Sequence, residues 1–209
     1  MFRNPPAMTT ASKSTEDIAK MRVAGRLASE VLDFIGPHIK AGMTTDEVDR
    51  LCHEYMVDVQ QTIPAPLNYA PPGYSPYPKS ICTSVNHVVC HGVPGERKLK
   101  NGDIVNLDIT VIKEGFHGDT SRMFCVGTPS VQARRLCELT YECMWRGIAM
   151  VRPGARLVML VMQFRPMPRA TDSALCANFA VTALAANFTR SHRSCTTDGL
   201  VLVGCWNPA

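Results

Sequence analysis

The stretch Asn106-Leu107-Asp108-Ile109-Thr110-Val111-Ile112-Lys113-Glu114-Gly115-Phe116-His117-Gly118-Asp119-Thr120 reads as a β-hairpin that carries two aspartates. β-branched and apolar residues flank Glu114-Gly115, a charged residue followed by glycine, which suits a two-residue turn. With that turn Lys113 pairs with Phe116, Ile112 with His117, Val111 with Gly118 and Thr110 with Asp119. Asp108 lies two residues before Thr110, so it shares that face and is a diagonal neighbour of Asp119, about 7–8 Å away between backbones. Aspartate is depleted in strands, and two carboxylates on an apolar-flanked face repel unless a cation or a shared proton intervenes. The pair is either the solvated face of an edge hairpin or a place where oxygen ligands converge on divalent metal.

Working outward, the flanking segments alternate helix and strand signals. Ser14-Thr15-Glu16-Asp17 has the form of a capping box, and Ile18, Met21, Ala24, Leu27, Ala28, Val31, Leu32 and Ile35 follow at helical spacing up to Gly36-Pro37. Thr44-Thr45-Asp46-Glu47 repeats the pattern and opens a second helix with Val48, Leu51, Cys52, Tyr55 and Met56 on one side. Pro64 to Pro78 holds six prolines and a glycine, which predicts an irregular loop. Strand-like runs follow at Ser80–Val85, Asp103–Ile112 and Phe116–Val126, and a third helix at Val131–Met150. Cys90-His91-Gly92 follows a strand-like Asn86–Val89. A lone histidine is more often a hydrogen-bonded structural residue than a catalytic one, which is the reading for His87 and His117. Cys82 and Cys90, flanked by apolar residues, read as small core side chains.

Composition bounds the function. The chain has 209 residues, 45% of them apolar and 19% charged, enough for one folded domain and against disorder throughout. Its net charge of +4 is too slight and scattered to form a footprint for nucleic acid or an anionic membrane. No apolar run is long enough to span a bilayer, and the first fifteen residues lack the pattern of a cleaved export signal. The nine cysteines are irregularly spaced with no Cys-x-x-Cys pair, which favours reduced thiols in a cytoplasm over a disulfide framework.

Near Leu157 the composition breaks. From Leu157 to Ala209 there is no Lys and no Glu, and neither helical nor strand periodicity persists. The expected division is a flexible N-terminus over 1–15, an ordered region over 16–157, and an aberrant tail over 158–209.

Taken together, Tyr77-Pro78-Lys79-Ser80-Ile81-Cys82-Thr83-Ser84-Val85-Asn86, Val89-Cys90-His91-Gly92-Val93-Pro94, Gly102-Asp103-Ile104-Val105-Asn106-Leu107-Asp108 and His117-Gly118-Asp119-Thr120 resemble the type I methionine aminopeptidases in their short bacterial form. The resemblance implies an α+β pita-bread fold, with its first half present and its second half missing or disrupted. It implies removal of the initiator methionine from nascent polypeptides at a site of two divalent ions (Co, Mn, Fe or Zn). By that likeness Asp108 chelates one metal, Asp119 bridges both, and His91 contacts the scissile amide as catalytic and substrate-binding residue. Tyr74, Tyr77 and Cys82 are similar to residues lining the methionine side-chain pocket. The implied protein is a cytoplasmic monomer whose partners are the N-terminal methionine of new chains and, as a candidate, the ribosome, with no direct nucleic-acid or membrane contact.

One departure is severe. The family takes its remaining ligands, a histidine in a Cys-Gly-His-Gly-Ile-Gly motif and two glutamates, from the second half, and no such motif follows Leu157. Yet when the last base of each codon is read with the first two of the next, Phe179–Arg193 permits Cys-Gly-His-Gly-Ile-Gly-Gly-Lys-Phe-His-Glu-Glu-Pro-Gln. Leu157–Arg165 likewise permits Gly-Asp-Val-Gly-His-Ala-Ile-Gln. The reading is a frameshift at Leu157 that leaves the metal site incomplete and the chain inactive. Its rivals are a non-catalytic binding protein of the same fold and a proline-directed peptidase of the same superfamily. The Tyr77-to-Ser80 and Cys90-to-Gly92 segments favour the methionine enzyme.

Overall fold

The structure, a computed structural model, describes residues 13–152; the expectations for the extreme N-terminus and for the tail lie outside the described residues. Helix α1 (Thr15–Ile35) starts where Ser14 Oγ accepts from the Asp17 amide at 3.0 Å and the Asp17 carboxylate accepts from the Ser14 amide at 2.9 Å. Helix α2 (Thr45–Glu54) opens with the same reciprocal pair, Thr44 and Glu47. Each box satisfies amides that the first helical turn leaves without an intrahelical partner, so both starts follow from the sequence. Beyond α2 the chain widens into one π-helical turn, Tyr55–Val59, closed by the Gln60 amide on the Tyr55 carbonyl at 3.0 Å.

Four antiparallel strands follow: β1 (Ile63–Pro64), β2 (Cys82–Val85), β3 (Ile104–Lys113) and β4 (Phe116–Cys125). β3 is central, with β4 along one edge and both β1 and β2 along the other. The turn residues Glu114 and Gly115 both have left-handed φ, 51° and 81°, the geometry of a type I′ turn whose twist matches its strands. The hairpin register is the expected one, from Lys113 opposite Phe116 to Thr110 opposite Asp119. Helix α3 (Val131–Ala149) starts at Ser130, whose hydroxyl accepts from the Ala133 amide.

On one face of β3, Val105, Leu107, Ile109 and Val111 are fully buried with Ala28, Val31, Leu32 and Ile35 of α1 and with Val48, Cys52 and Met56. Helix and sheet meet at van der Waals distance because Gly118 has no side chain: a Cβ there would stand 2.0 Å from the Ala24 carbonyl oxygen.

Three expectations need correction. Asn86–Val89 is not a strand: Asn86 turns with φ 55°, and its side chain accepts from the Ile104 amide and donates to Asp103, ending β2 at Val85. Cys90 is exposed on that loop rather than buried in the core. The proline-rich stretch contributes Ile63–Pro64 as a short edge strand, tolerated because an edge proline removes no ladder bond.

Candidate metal and substrate site

The face of β3 opposite the core carries Asn106, Asp108, Thr110 and Ile112, all half-buried where their neighbours are fully buried. Residues directly opposed in an antiparallel pair project to the same side. Thr110 opposes Asp119, Asp108 opposes Ser121, and on the other edge Cys82 opposes Asp108. Asp108, Asp119 and Cys82 therefore share one surface, with Asp108 in its middle. Two half-buried carboxylates on adjacent strands supply oxygen donors of the kind that a hard or borderline divalent ion takes. They fit part of a ligand set: among the described residues no group of three or more His, Cys, Asp or Glu side chains gathers as a metal cluster.

His117 lies two residues before Asp119 on the same face of β4. Its Nδ1 is buried without a hydrogen-bond partner. Burial holds its pKa below the ordinary value, with the Asp119 charge acting the other way. His87 is exposed in the turn after β2.

His91 is held to β2 through its neighbour. The Thr83 amide donates to the Gly92 carbonyl at 2.8 Å, and the Gly92 amide donates to Ser84 Oγ at 3.2 Å. A Cβ on Gly92 would come within 2.1 Å of the Thr83 carbonyl oxygen, so only glycine allows this approach. His91 itself is exposed, with a left-handed φ of 54° that histidine adopts more readily than most side chains. The Tyr77 hydroxyl stands 3.1 Å from the Ile81 carbonyl and 3.2 Å from that of Gly92, and shares its proton between them. Burial, followed by the adjacent Cys82 thiol, pushes the Tyr77 phenol well above its ordinary pKa, so it stays a donor. Tyr77, Cys82, Gly92 and the two aspartates are thus linked through one strand, whereas Tyr74 is 75% exposed on the proline-rich loop.

A cavity of about 370 Å³ is lined by Thr45, Thr83, Val85, Val88, Gly92, Val93 and Arg97 among others, and so borders the loop that carries His91. Thr83 and Val85 alternate with Cys82 and Ser84 along β2, so their side chains point away from the carboxylates.

Sequence reasoning missed one group. Asp49 Oδ1 accepts from the amides of Ser80 at 2.9 Å and Ile81 at 3.1 Å, and His53 Nδ1 lies 2.7 Å from Ser80 Oγ. The available signal was an acid beside Val48 and Cys52, on the stripe of α2 that faces the core.

The sequence profile of metallopeptidase family M24 matches residues 19–166. Methionine aminopeptidase of Salmonella typhimurium is 57% identical over 151 residues, covering 72% of this chain and 55% of that protein. That of Rickettsia prowazekii is 52% identical over 150 residues, with 72% and 56% covered. The chain therefore spans about half the length of the curated relatives it matches. The crystal structure of the Rickettsia prowazekii methionine aminopeptidase superposes with a TM-score of 0.68 at 44% identity, covering 84% of this chain and 62% of that one. An Xaa-Pro dipeptidase from Bacillus anthracis has TM-score 0.61 at 21% identity, a likeness of fold alone. The α+β arrangement is thus the first part of the pita-bread fold, and on the match of profile, sequence and fold the chain belongs to metallopeptidase family M24.

Proposed function

We propose that the chain is the first part of an enzyme that removes the N-terminal methionine of nascent polypeptides, interrupted at Leu157 by a shifted reading frame. The observation that carries this reading is the shared face of Asp108 and Asp119, flanked by Cys82 and by the His91 loop. Divalent ions are the family's cofactors, and Asp108 and Asp119 would hold them. When bound, such ions supply Lewis acidity and activate water near neutral pH. His91 would meet the substrate's scissile amide, while Tyr74, Tyr77 and Cys82 would line an apolar, sulfur-tolerant pocket for the methionine side chain. Cobalt, manganese, iron and zinc all suit the two carboxylates.

The histidine and two glutamates that complete the set by resemblance have no counterpart after Leu157, which supports inactivity of the chain as written. The division into residues 1–15, 16–157 and 158–209 belongs to this same reading. So do a cytoplasmic monomer and the ribosome as partner. Among the described residues no helix is long and apolar enough to cross a membrane. The methionine reading is favoured over a proline-directed one by the identity to methionine aminopeptidases, against a likeness of fold alone to the proline enzymes.

The test is release of methionine from a Met-Ala-Ser peptide with cobalt, manganese or iron supplied. The 209-residue chain is expected to release none. Restoring one base at the Leu157 codon is expected to give turnover that Asp108→Ala, Asp119→Ala and His91→Ala each lower by roughly a hundredfold or more. Turnover by the chain as written overturns its inactivity; none by the restored gene overturns the assignment. Resequencing around that codon tests the frameshift itself.

A further inference from the structure

We propose that Asp49 is a positioning residue, whose buried carboxylate on α2 sets the places of Tyr77, Cys82 and His91 through the backbone of Ser80 and Ile81. Asp49 is 7% exposed, an uncommon place for an acid unless its oxygens are engaged. Its Oδ1 accepts from two consecutive amides, Ser80 at 2.9 Å and Ile81 at 3.1 Å. Those amides sit just before β2 begins at Cys82, where ladder pairing with β3 is not available to them. Without an acceptor they would be buried and unpaired, which the fold avoids. His53, one turn further along α2, fixes the Ser80 side chain at 2.7 Å, and Lys79 is ion-paired to Asp46. Three side chains of one helix face thus grip three consecutive residues.

From that grip a continuous path leads to the candidate site. The Ile81 carbonyl receives the Tyr77 hydroxyl, which also contacts the Gly92 carbonyl, and Gly92 carries the adjacent His91. The residue after Ile81 is Cys82, opposite Asp108. Movement at Ser80–Ile81 would displace the proposed side-chain pocket and the proposed amide contact together, because both hang on the same two peptide units. Burial raises the pKa of the Asp49 carboxyl, while the two amides oppose it. The inference rests on reading Tyr77, Cys82 and His91 as substrate-side residues, and its test does not depend on turnover.

The experiment uses the full chain and two readouts. Iodoacetamide labelling, located by peptide mass spectrometry, reports the exposure of each cysteine, and the ring resonances of His91 report its surroundings. In Asp49→Ala, Cys82 should react roughly tenfold faster or more and the His91 signals should shift. Cys52, fully buried on the same helix, should stay protected, which shows that α2 remains folded. Asp49→Asn keeps an oxygen acceptor and should restore both readouts, whereas Asp49→Leu fills the same space without an acceptor and should restore neither. Tyr77→Phe breaks the path downstream and should shift His91 while leaving Cys52 protected. Unchanged Cys82 and His91 in Asp49→Ala would overturn the proposal. Where Asp49→Ala exposes Cys52, the decision passes to Tyr77→Phe, and an unchanged His91 there overturns it. These outcomes hold whether or not any methionine is released, so failure of the functional reading is seen separately.

Discussion

Gly118 of β4 faces the Ala24 carbonyl of α1 so closely that a Cβ would lie 2.0 Å from the oxygen and 2.6 Å from the Gly25 amide nitrogen. Both are backbone atoms, which cannot swing aside as a side chain can, and Gly118 sits one residue before the candidate ligand Asp119. The packing of a helix and the placement of a candidate metal ligand therefore depend on the same peptide.

Gly118→Ala is expected to lower stability by about 3 kcal/mol or more, because α1 must lift from the sheet to admit one methyl group. Urea unfolding followed by circular dichroism checks this. A loss below about 1 kcal/mol would mean that helix and strand separate at little cost.

The Glu114-Gly115 turn offers the opposite sign. Glu114 has a left-handed φ of 51°, which disfavours most side chains but suits asparagine. Glu114→Asn should raise stability by about 1 kcal/mol, and Gly115→Val should lower it by at least as much. The urea midpoints of the two variants, moving in opposite directions, are the measurement.

Both helix N-termini should weaken in acid. Hydrogen bonds from the backbone and side chain of Thr44 hold the Glu47 carboxyl below its ordinary value of 4.5, and those of Ser14 hold Asp17 below 3.8. A depressed folded-state pKa contributes stability that is present above the unfolded value and lost as pH falls through the folded one. Glu47→Ala should therefore cost stability near neutral pH and progressively less below pH 4.5. The Asp49 carboxyl, raised by burial, has the reverse sign: its ionisation disfavours the folded state, an effect that sets in as pH rises past the ordinary value of 3.8 and is complete above the folded value. A cost of Glu47→Ala that stays constant down to about pH 3 would contradict the capping argument.

Metal binding by this chain should be weak. Two carboxylates completed by water hold a divalent ion less tightly than a full protein set, so titration calorimetry with cobalt should give a dissociation constant above about 1 μM, little changed by Asp108→Ala. Tighter binding that disappears in Asp108→Ala would show that further residues of the chain act as ligands.

The hairpin was legible because its evidence is local. Strand propensity, a two-residue turn and the two-residue side-chain period together set the register, and the register sets which residues share a face. The capping boxes at Ser14 and Thr44 were legible for the same reason, since each donor and acceptor lies within one helical turn. Asn86 was misread because β-rich neighbours suggested extension, while its side chain bonds Asp103 and Ile104, far along the chain.

The sequence by itself thus determined the β3–β4 register, the common face of Asp108 and Asp119, the helix starts, and the composition break at Leu157. Periodicity, turn chemistry and codon structure are all properties of neighbouring residues. Only the tertiary structure decided that Asp49 reaches Ser80 and Ile81, that Gly92 docks on Thr83, that Tyr77 bridges Ile81 and Gly92, and that Gly118 meets Ala24. Each of these joins segments separated along the chain, and their partners are chosen by which surfaces the core brings together, a choice that local propensity does not encode.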